Sequence, residues 1–397
     1  MLPFKDRKKR LYLDYASATP VFTAAISAMR QAEKIFGNPG SIHEEGVVAM
    51  RVLDDARARV AHELGCKSRQ IIFTSGLTEA NNLAILGFAR KLQTGGTNLA
   101  QTHWITSSIE HDSVLECFAE IERWGGRVSF VDPNPGGIIA PRAIQNVLQS
   151  DTIFISIGWG NNEIGTIQPL SQIAQILRAH EKAHRGHISF HSDAGQAPLY
   201  RSPQVHSLGV DMLALGSGKL YGPRAVGALY VENPESLAPV ILGGGQEKGL
   251  RAGTEKVAPA VGFGEALALV AHERESETKR LQKMRDDLAQ NLVTQIPGLI
   301  VNGDLKHALP HMLNISIPNI NAEYLVLALD REGFALSTKS ACRAGEARSH
   351  VVEALGAEEW RAQNTLRISL GRDTSERALQ RFIEAVTRLV ARAGSFV

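Results

Sequence analysis

The chain has 397 residues, with 43 Lys plus Arg against 41 Asp plus Glu, a formal net charge of +2, 44% hydrophobic residues and 3 Cys. That balance excludes a disordered or collagen-like chain, and a protein built chiefly to coat nucleic acid or an anionic membrane. Three cysteines cannot make a disulfide scaffold, and no apolar run approaches the roughly 18 residues of a membrane span.

The first ten residues are basic, but Asp14 interrupts the apolar run that follows. They read as the solvated start of a cytoplasmic protein, not as a signal peptide. Over residues 44–64, Met50, Leu53, Ala56, Val60 and Leu64 share one face, which predicts a helix. Short apolar runs at 70–74, 104–107, 127–131, 152–157, 187–191, 211–215 and 227–231 predict strands, with amphipathic segments such as 170–184 between several of them. Strands alternating with helices predict an α/β fold with a mostly parallel sheet. A long charged helix is predicted over about 261–295, then strand 312–317, helix 322–332, strand 365–369 and a closing amphipathic helix from Glu376. The division is a large α/β domain over 14–262 and a smaller α+β domain over 263–397 that includes residues 1–13.

Ligands of open α/β sheets sit at the carboxyl ends of the strands. Gly216-Ser217-Gly218-Lys219 follows one of them. The P-loop template fails, because Leu213 stands where a Gly belongs and Leu220 where Ser or Thr belongs. A lysine between glycines is either a solvated turn residue or the Schiff-base partner of an aldehyde cofactor. Asp193, one strand–helix–strand unit earlier, is either a helix cap or the partner of a protonated pyridine nitrogen. The stretch Ser75-Gly76-Leu77-Thr78 opens a predicted helix, an ordinary cap or a phosphate site. His111 suits ring stacking or proton movement, and Asn161 and Asn162 offer amides at another strand end. Each has an ordinary structural alternative when taken alone.

Together these segments resemble one family along nearly the whole chain. YLDYASATP (12–20), FGNPGSIH (36–43), FTSGLTEANNLAI (73–85), EHDSVL (110–115), NNEIG (161–165), DAGQ (193–196), GKLYGP (218–223), GGGQEKGLRAGT (243–254), LSTKSAC (336–342) and RISLGRDT (367–374) stand in its order. It is the pyridoxal 5'-phosphate-dependent cysteine desulfurases of the iron–sulfur assembly type, within the class V aminotransferases. The resemblance implies fold type I, with a seven-stranded, mostly parallel large domain and a small C-terminal domain. It implies conversion of L-cysteine to L-alanine, with the sulfur held as a persulfide on Cys342 and handed to a protein acceptor such as an iron–sulfur scaffold or a sulfur carrier. Lys219 matches the Schiff-base lysine, His111 the stacked histidine and Asp193 the pyridinium partner. Asn162 and Gln196 match residues close to the ring, Gln196 being a ligand of the phenolic oxygen. Gly76, Leu77 and Thr78 match the phosphate cradle, Arg367 the grip on the substrate carboxylate, and Thr254 a phosphate ligand of the other subunit, which implies a homodimer. No metal, nucleic acid or membrane partner is implied. A selenocysteine lyase, another class V enzyme of this cofactor or a non-catalytic paralogue acting as a binding partner are the alternatives.

Two loops depart from the family. The usual Ser-Gly-His-Lys is Gly216-Ser217-Gly218-Lys219 here, which leaves Ser217 or a nest of backbone N–H groups to hold the phosphate and predicts altered anchoring. The cysteine loop, Cys342 to Ser349, is more charged and lacks proline. Lys339, Arg343 and Arg348 form a basic cluster in sequence that would favour a thiolate and meet an acidic acceptor. Cys66 and Cys117 lie in or beside predicted helices and read as structural.

Overall fold

The computed structural model describes residues 10–339 and 348–394. Cys342 and Arg343 lie outside the described residues. Strands are numbered along the chain: β1 (Leu11–Tyr12), β2 (Ile71–Thr74), β3 (His103–Ser107), β4 (Arg127–Val131), β5 (Thr152–Ser156), β6 (Ser189–Asp193), β7 (Met212–Gly216), β8 (Gly227–Val231), β9 (Ile300–Val301), β10 (Met312–Ser316), β11 (Phe334–Ala335) and β12 (Thr365–Ser369).

Seven strands form the main sheet in the order β2-β8-β7-β6-β5-β3-β4. All pairings are parallel except those of β8 with β2 and β7. The strands read as continuous apolar runs because both faces are covered. Ile71, Phe73, Ile105, Ile155, Phe190 and Leu213 join one apolar cluster, and their alternating neighbours Ile72, Trp104, Phe154, Met212 and Leu229 join the other. Edge strand β4 carries exposed Arg127 and Phe130, as an uncovered edge should. At the other edge, buried Arg57 of the helix Glu44–Leu64 donates to the Ile71 carbonyl at 3.0 Å.

The apolar runs locate all seven strands, but β6 lies two residues beyond its predicted place, ending on Asp193. His191 and Ser192 are buried and bonded within the sheet, although His191 Nε2 has no partner among the described residues. His191 Nδ1 is 2.8 Å from Ser156 Oγ, and Ser192 Oγ donates to the Ile157 carbonyl at 2.6 Å. Polarity there does not mark a strand end, because His191 Nδ1 and Ser192 Oγ find partners on and just after the neighbouring strand β5.

The long helix runs over Val257–Gln295, starting earlier than its charge pattern suggests. Pro259 falls in its first turn, where a missing N–H costs nothing. The helix is continuous across residue 262, so the two sequence-defined domains share it. Gly262 lets the helix Thr23–Ala32 approach: a Cβ there would stand 2.5 Å from Met29 Cγ.

Beyond it, β10 pairs antiparallel with β12 and β9. β1 pairs in parallel with β11, which straps the chain's beginning onto this smaller sheet. Residues 14–19 then cross towards the main sheet, where the Thr19 N–H donates to the Gly218 carbonyl at 3.1 Å. That crossing sets the N-terminal segment against the site. Among the described residues no helix is long and apolar enough to cross a membrane.

Candidate active site

The carboxyl ends of β3, β5, β6 and β7 open on one cleft. It is lined by Leu77, Glu110, His111, Asn162, Asp193, Gln196 and Lys219, among others, and encloses about 460 Å³ including space open to solvent. Parallel neighbours end at the same level, so residues far apart in sequence converge there. Lys219 Nζ donates to the Ala16 carbonyl at 2.9 Å and reaches that of Ser17 at 3.4 Å. The Ala16 carbonyl also accepts Gln196 Nε2 at 2.8 Å.

Asp193 is held as an acceptor on both oxygens. The Gly195 N–H donates to Oδ1 at 2.8 Å and Asn81 Nδ2 to Oδ2 at 2.6 Å. His111 caps the helix Asp112–Arg123, its Nδ1 accepting the Ser113 N–H at 3.1 Å. Burial pushes its pKa down, Asp193 pulls it up and Lys219 lowers it further. Beside it, the buried Glu110 carboxylate accepts Ser107 Oγ at 2.6 Å and the Gly158 N–H at 2.9 Å. Burial nevertheless pushes Glu110 up to about 7.

Arg367 sits on β12, at the seam between the small sheet and the cleft. Its guanidinium is buried: Nη1 donates to the Asn162 carbonyl at 3.0 Å, and Nη2 to Asp14 Oδ1 at 2.9 Å and Ser17 Oγ at 2.6 Å. Its Nε has no partner among the described residues. A buried guanidinium with an unspent N–H suits a carboxylate guest.

The residues fit pyridoxal phosphate. Gln196 Oε1 is buried without a partner among the described residues, and the amide nitrogen has a second hydrogen beyond the one given to Ala16. The helix Leu77–Thr94 points its N-terminus here, with Ser75 and Thr78 exposed. Gly76 has φ +157° and nothing within 4 Å of where a Cβ would stand. Gly195 and Gly216 both make room for Leu77: a Cβ on them would stand 2.5 Å from Leu77 Cδ2 and 2.9 Å from Leu77 Cβ.

Other expected residues lie apart. Ser217 is buried outside the cleft lining, its hydroxyl unpartnered and packed so that a Cβ on Gly222 would be 2.1 Å away. Thr254 is exposed, away from the cleft lining. Two members of the basic cluster expected around the cysteine loop are engaged: Lys339 is buried, and Arg348 pairs with Glu359 at 3.0 Å and Glu353 at 3.8 Å. Cys117 is buried and its thiol is pushed up to about 12, that of half-buried Cys66 to about 11, both by burial. Neither is a thiolate at neutral pH.

Sequence reasoning gave no role to Asp14, Ser17, Asn81, Glu110 or Arg251. Asp14 and Ser17 belong to YLDYASATP, a signal present but unread. Arg251 Nε donates to Glu79 Oε1 at 2.8 Å, and Glu79 Oε2 accepts the Ser75 N–H at 2.8 Å, which ties the Gly-rich segment to the start of the phosphate-type helix.

This sheet order, with a lysine and an aspartate at neighbouring strand ends, is the architecture of the pyridoxal phosphate-dependent enzymes of fold type I. Residues 11–382 match the aminotransferase class-V family, and the chain belongs to it. It is 37% identical over 385 residues to the cysteine desulfurase IscS of Dictyoglomus turgidum, spanning 96% of this chain and 95% of that one. It is 38% identical over 366 residues to the putative cysteine desulfurase IscS 1 of Bacillus subtilis, spanning 91% and 94%. Among solved structures, a NifS-like protein superposes with a TM-score of 0.88 at 30% identity, over 96% of this chain and 99% of that one. SspA in complex with cysteine superposes with a TM-score of 0.75 at 32% identity, over 91% and 98%.

Proposed function

We propose that the protein is a cysteine desulfurase that takes L-cysteine, releases L-alanine and carries the sulfur as a persulfide on Cys342. The observation that supports it best is the convergence of Lys219, Asp193 and His111 in one cleft, next to a buried Arg367 with an unspent N–H. Pyridoxal phosphate, when bound, supplies the electron sink that makes the α-carbon of an amino acid acidic.

The chain's own residues supply the rest. Asp193 is oriented towards a ring nitrogen by two hydrogen bonds from N–H donors. The Leu77–Thr94 N-terminus and the glycines around Leu77 receive a phosphate. Arg367 orients the substrate carboxylate. Lys219 moves the α-proton, and His111 serves as a second proton carrier. The Cys342 thiolate attacks the substrate sulfur. The new S–S bond forms as the C–S bond breaks, its electron pair stays on carbon, and protonation gives the methyl group of alanine.

Exposed apolar side chains support a homodimer. Ile42 is 99% exposed, Phe36 85% and Leu242 77%, large apolar side chains that a second copy would cover. In that dimer Thr254 would serve the neighbouring subunit's site. The persulfide then passes to a protein acceptor, an iron–sulfur scaffold or a sulfur carrier, in the cytoplasm.

The test is incubation with L-cysteine, pyridoxal phosphate and a thiol reductant, measuring alanine and sulfide. Wild type should form both. Lys219→Ala should form neither, and Cys342→Ala should lose both. Absence of alanine from wild type sinks the reading. Alanine formation that Cys342→Ala leaves intact removes Cys342 as nucleophile.

A further inference from the structure

Asp193 ends β6, Asn81 lies in the helix Leu77–Thr94, and Ser113 and His111 open the helix Asp112–Arg123. Asn81 is fully buried. Its Nδ2 donates to Asp193 Oδ2 at 2.6 Å and to Ser113 Oγ at 2.8 Å. The amide cannot be reversed, because Oδ1 would then face a carboxylate oxygen, acceptor against acceptor. Both amide hydrogens are used, and Oδ1 has no partner among the described residues. Ser113 Oγ therefore accepts from Asn81 and has its own hydrogen to give. His111 Nδ1 lies 2.9 Å away and also receives the Ser113 N–H. Two donors aimed at one ring nitrogen make it the unprotonated one, so Nε2 carries the hydrogen.

We propose that Asn81 and Ser113 are positioning residues that join Asp193 to His111 through a hydrogen-bond chain of fixed direction. The chain holds the imidazole neutral, as the Nε2–H tautomer, and turns an N–H donor towards the Asp193 carboxylate. Its catalytic meaning rests on the reading that both residues face the cofactor ring, beside which a neutral imidazole avoids repulsion from a pyridinium. A proton taken up at Nδ1 would break the bond from Ser113 Oγ and the helix cap together. His111 can pass on its Nε2 proton only by taking one up at Nδ1, so the chain sets the cost of that transfer. The charged groups around the imidazole act in both directions: Lys219 after β7 opposes its protonation, as burial does, while Asp193, Asp112 and Glu163 favour it.

The test is 15N NMR of the histidine rings in the full-length chain, with and without pyridoxal phosphate, using His111→Gln to identify the signal. Wild type should show the Nε2–H tautomer. Ser113→Ala deletes one donor to Nδ1 and leaves the backbone cap, so the protonation midpoint of His111 should rise by about 0.7 pH unit, or about fivefold in proton affinity. Ser113→Thr should restore the wild-type midpoint. Asn81→Ala should shift it the same way. That variant opens a buried site and can fail to fold, so the Ser113 variants decide. An Nδ1–H tautomer in wild type, or a midpoint unmoved by Ser113→Ala, overturns the proposal. Alanine formation is scored separately: a shift without activity keeps the chain and refutes the desulfurase reading, and activity without a shift does the reverse.

Discussion

Replacing Asp14 by Asn isolates the electrostatics of the arginine at the seam. The Arg367 side chain is 2% exposed and that of Asp14 18%, with 2.9 Å between Nη2 and Oδ1. Two unit charges about 4 Å apart attract by about 4 kcal/mol at an effective dielectric of about 20. Removing one member of a buried pair costs about 3–5 kcal/mol, because the other charge is left uncompensated. Asn retains an acceptor for Nη2, and Ser17 and the Asn162 carbonyl still bind the guanidinium. The expected loss is therefore smaller, about 2–3 kcal/mol. At about 2 cal/mol/K of unfolding entropy per residue, a chain of 397 residues loses roughly 3 °C in Tm. Scanning calorimetry on holoenzyme measures it. The same scan in sodium acetate, against sodium chloride of equal ionic strength, tests the cause. A small carboxylate can replace the lost counter-charge, so acetate should recover more of the Tm in Asp14→Asn than it adds to wild type. A Tm within 0.5 °C of wild type, or equal responses to the two salts, would refute the reasoning.

Glu110 gives a pH prediction. Its folded pKa, about 7, lies above the ordinary 4.5. The neutral form therefore favours folding: its contribution is complete below about 4.5 and is lost as pH rises through about 7. Glu110→Gln has no charge to bury, so its Tm relative to wild type should climb between pH 5 and pH 8, as followed by calorimetry. A difference independent of pH contradicts the assignment. The lysine loop gives another. Gly216→Ser alone should loosen pyridoxal phosphate, read as faster loss on gel filtration, because its Cβ would stand 2.9 Å from Leu77 Cβ. Adding Leu77→Gly, which removes that Cβ, should recover retention. Gly218→His should fold normally, since the nearest atom to a Cβ there is Arg224 Cγ at 3.5 Å. Tight retention in Gly216→Ser alone would show that Leu77 does not set the cradle.

Much of this protein is legible in its sequence. Apolar runs of five residues bounded by polar or glycine positions mark the strands, because a sheet covered on both faces has no polar side to show. Lys219, Asp193 and His111 stand directly after or at the ends of those runs, so their convergence follows from parallel pairing. The helix over 44–64 is readable from its apolar stripe, and Gly65, with φ +65°, closes it.

Other features belong to tertiary structure alone. Arg367 looks on paper like a residue waiting for substrate, and folding shows it already paired with Asp14, which lies 353 residues away. Lys339 and Arg348 look like a basic rim, and folding buries one and pairs the other with glutamates. Ser217 looks like a phosphate ligand, and the space left by Gly222 takes its hydroxyl elsewhere. Asn81 and Ser113 lie in FTSGLTEANNLAI and EHDSVL, but an amide and a hydroxyl in helices are ordinary, and nothing in those segments says that they meet. Sequence periodicity records which face of an element is buried, because burial of apolar area is non-directional. Which polar atom meets which depends on distances of about 3 Å and on angles, and only the packed chain sets those.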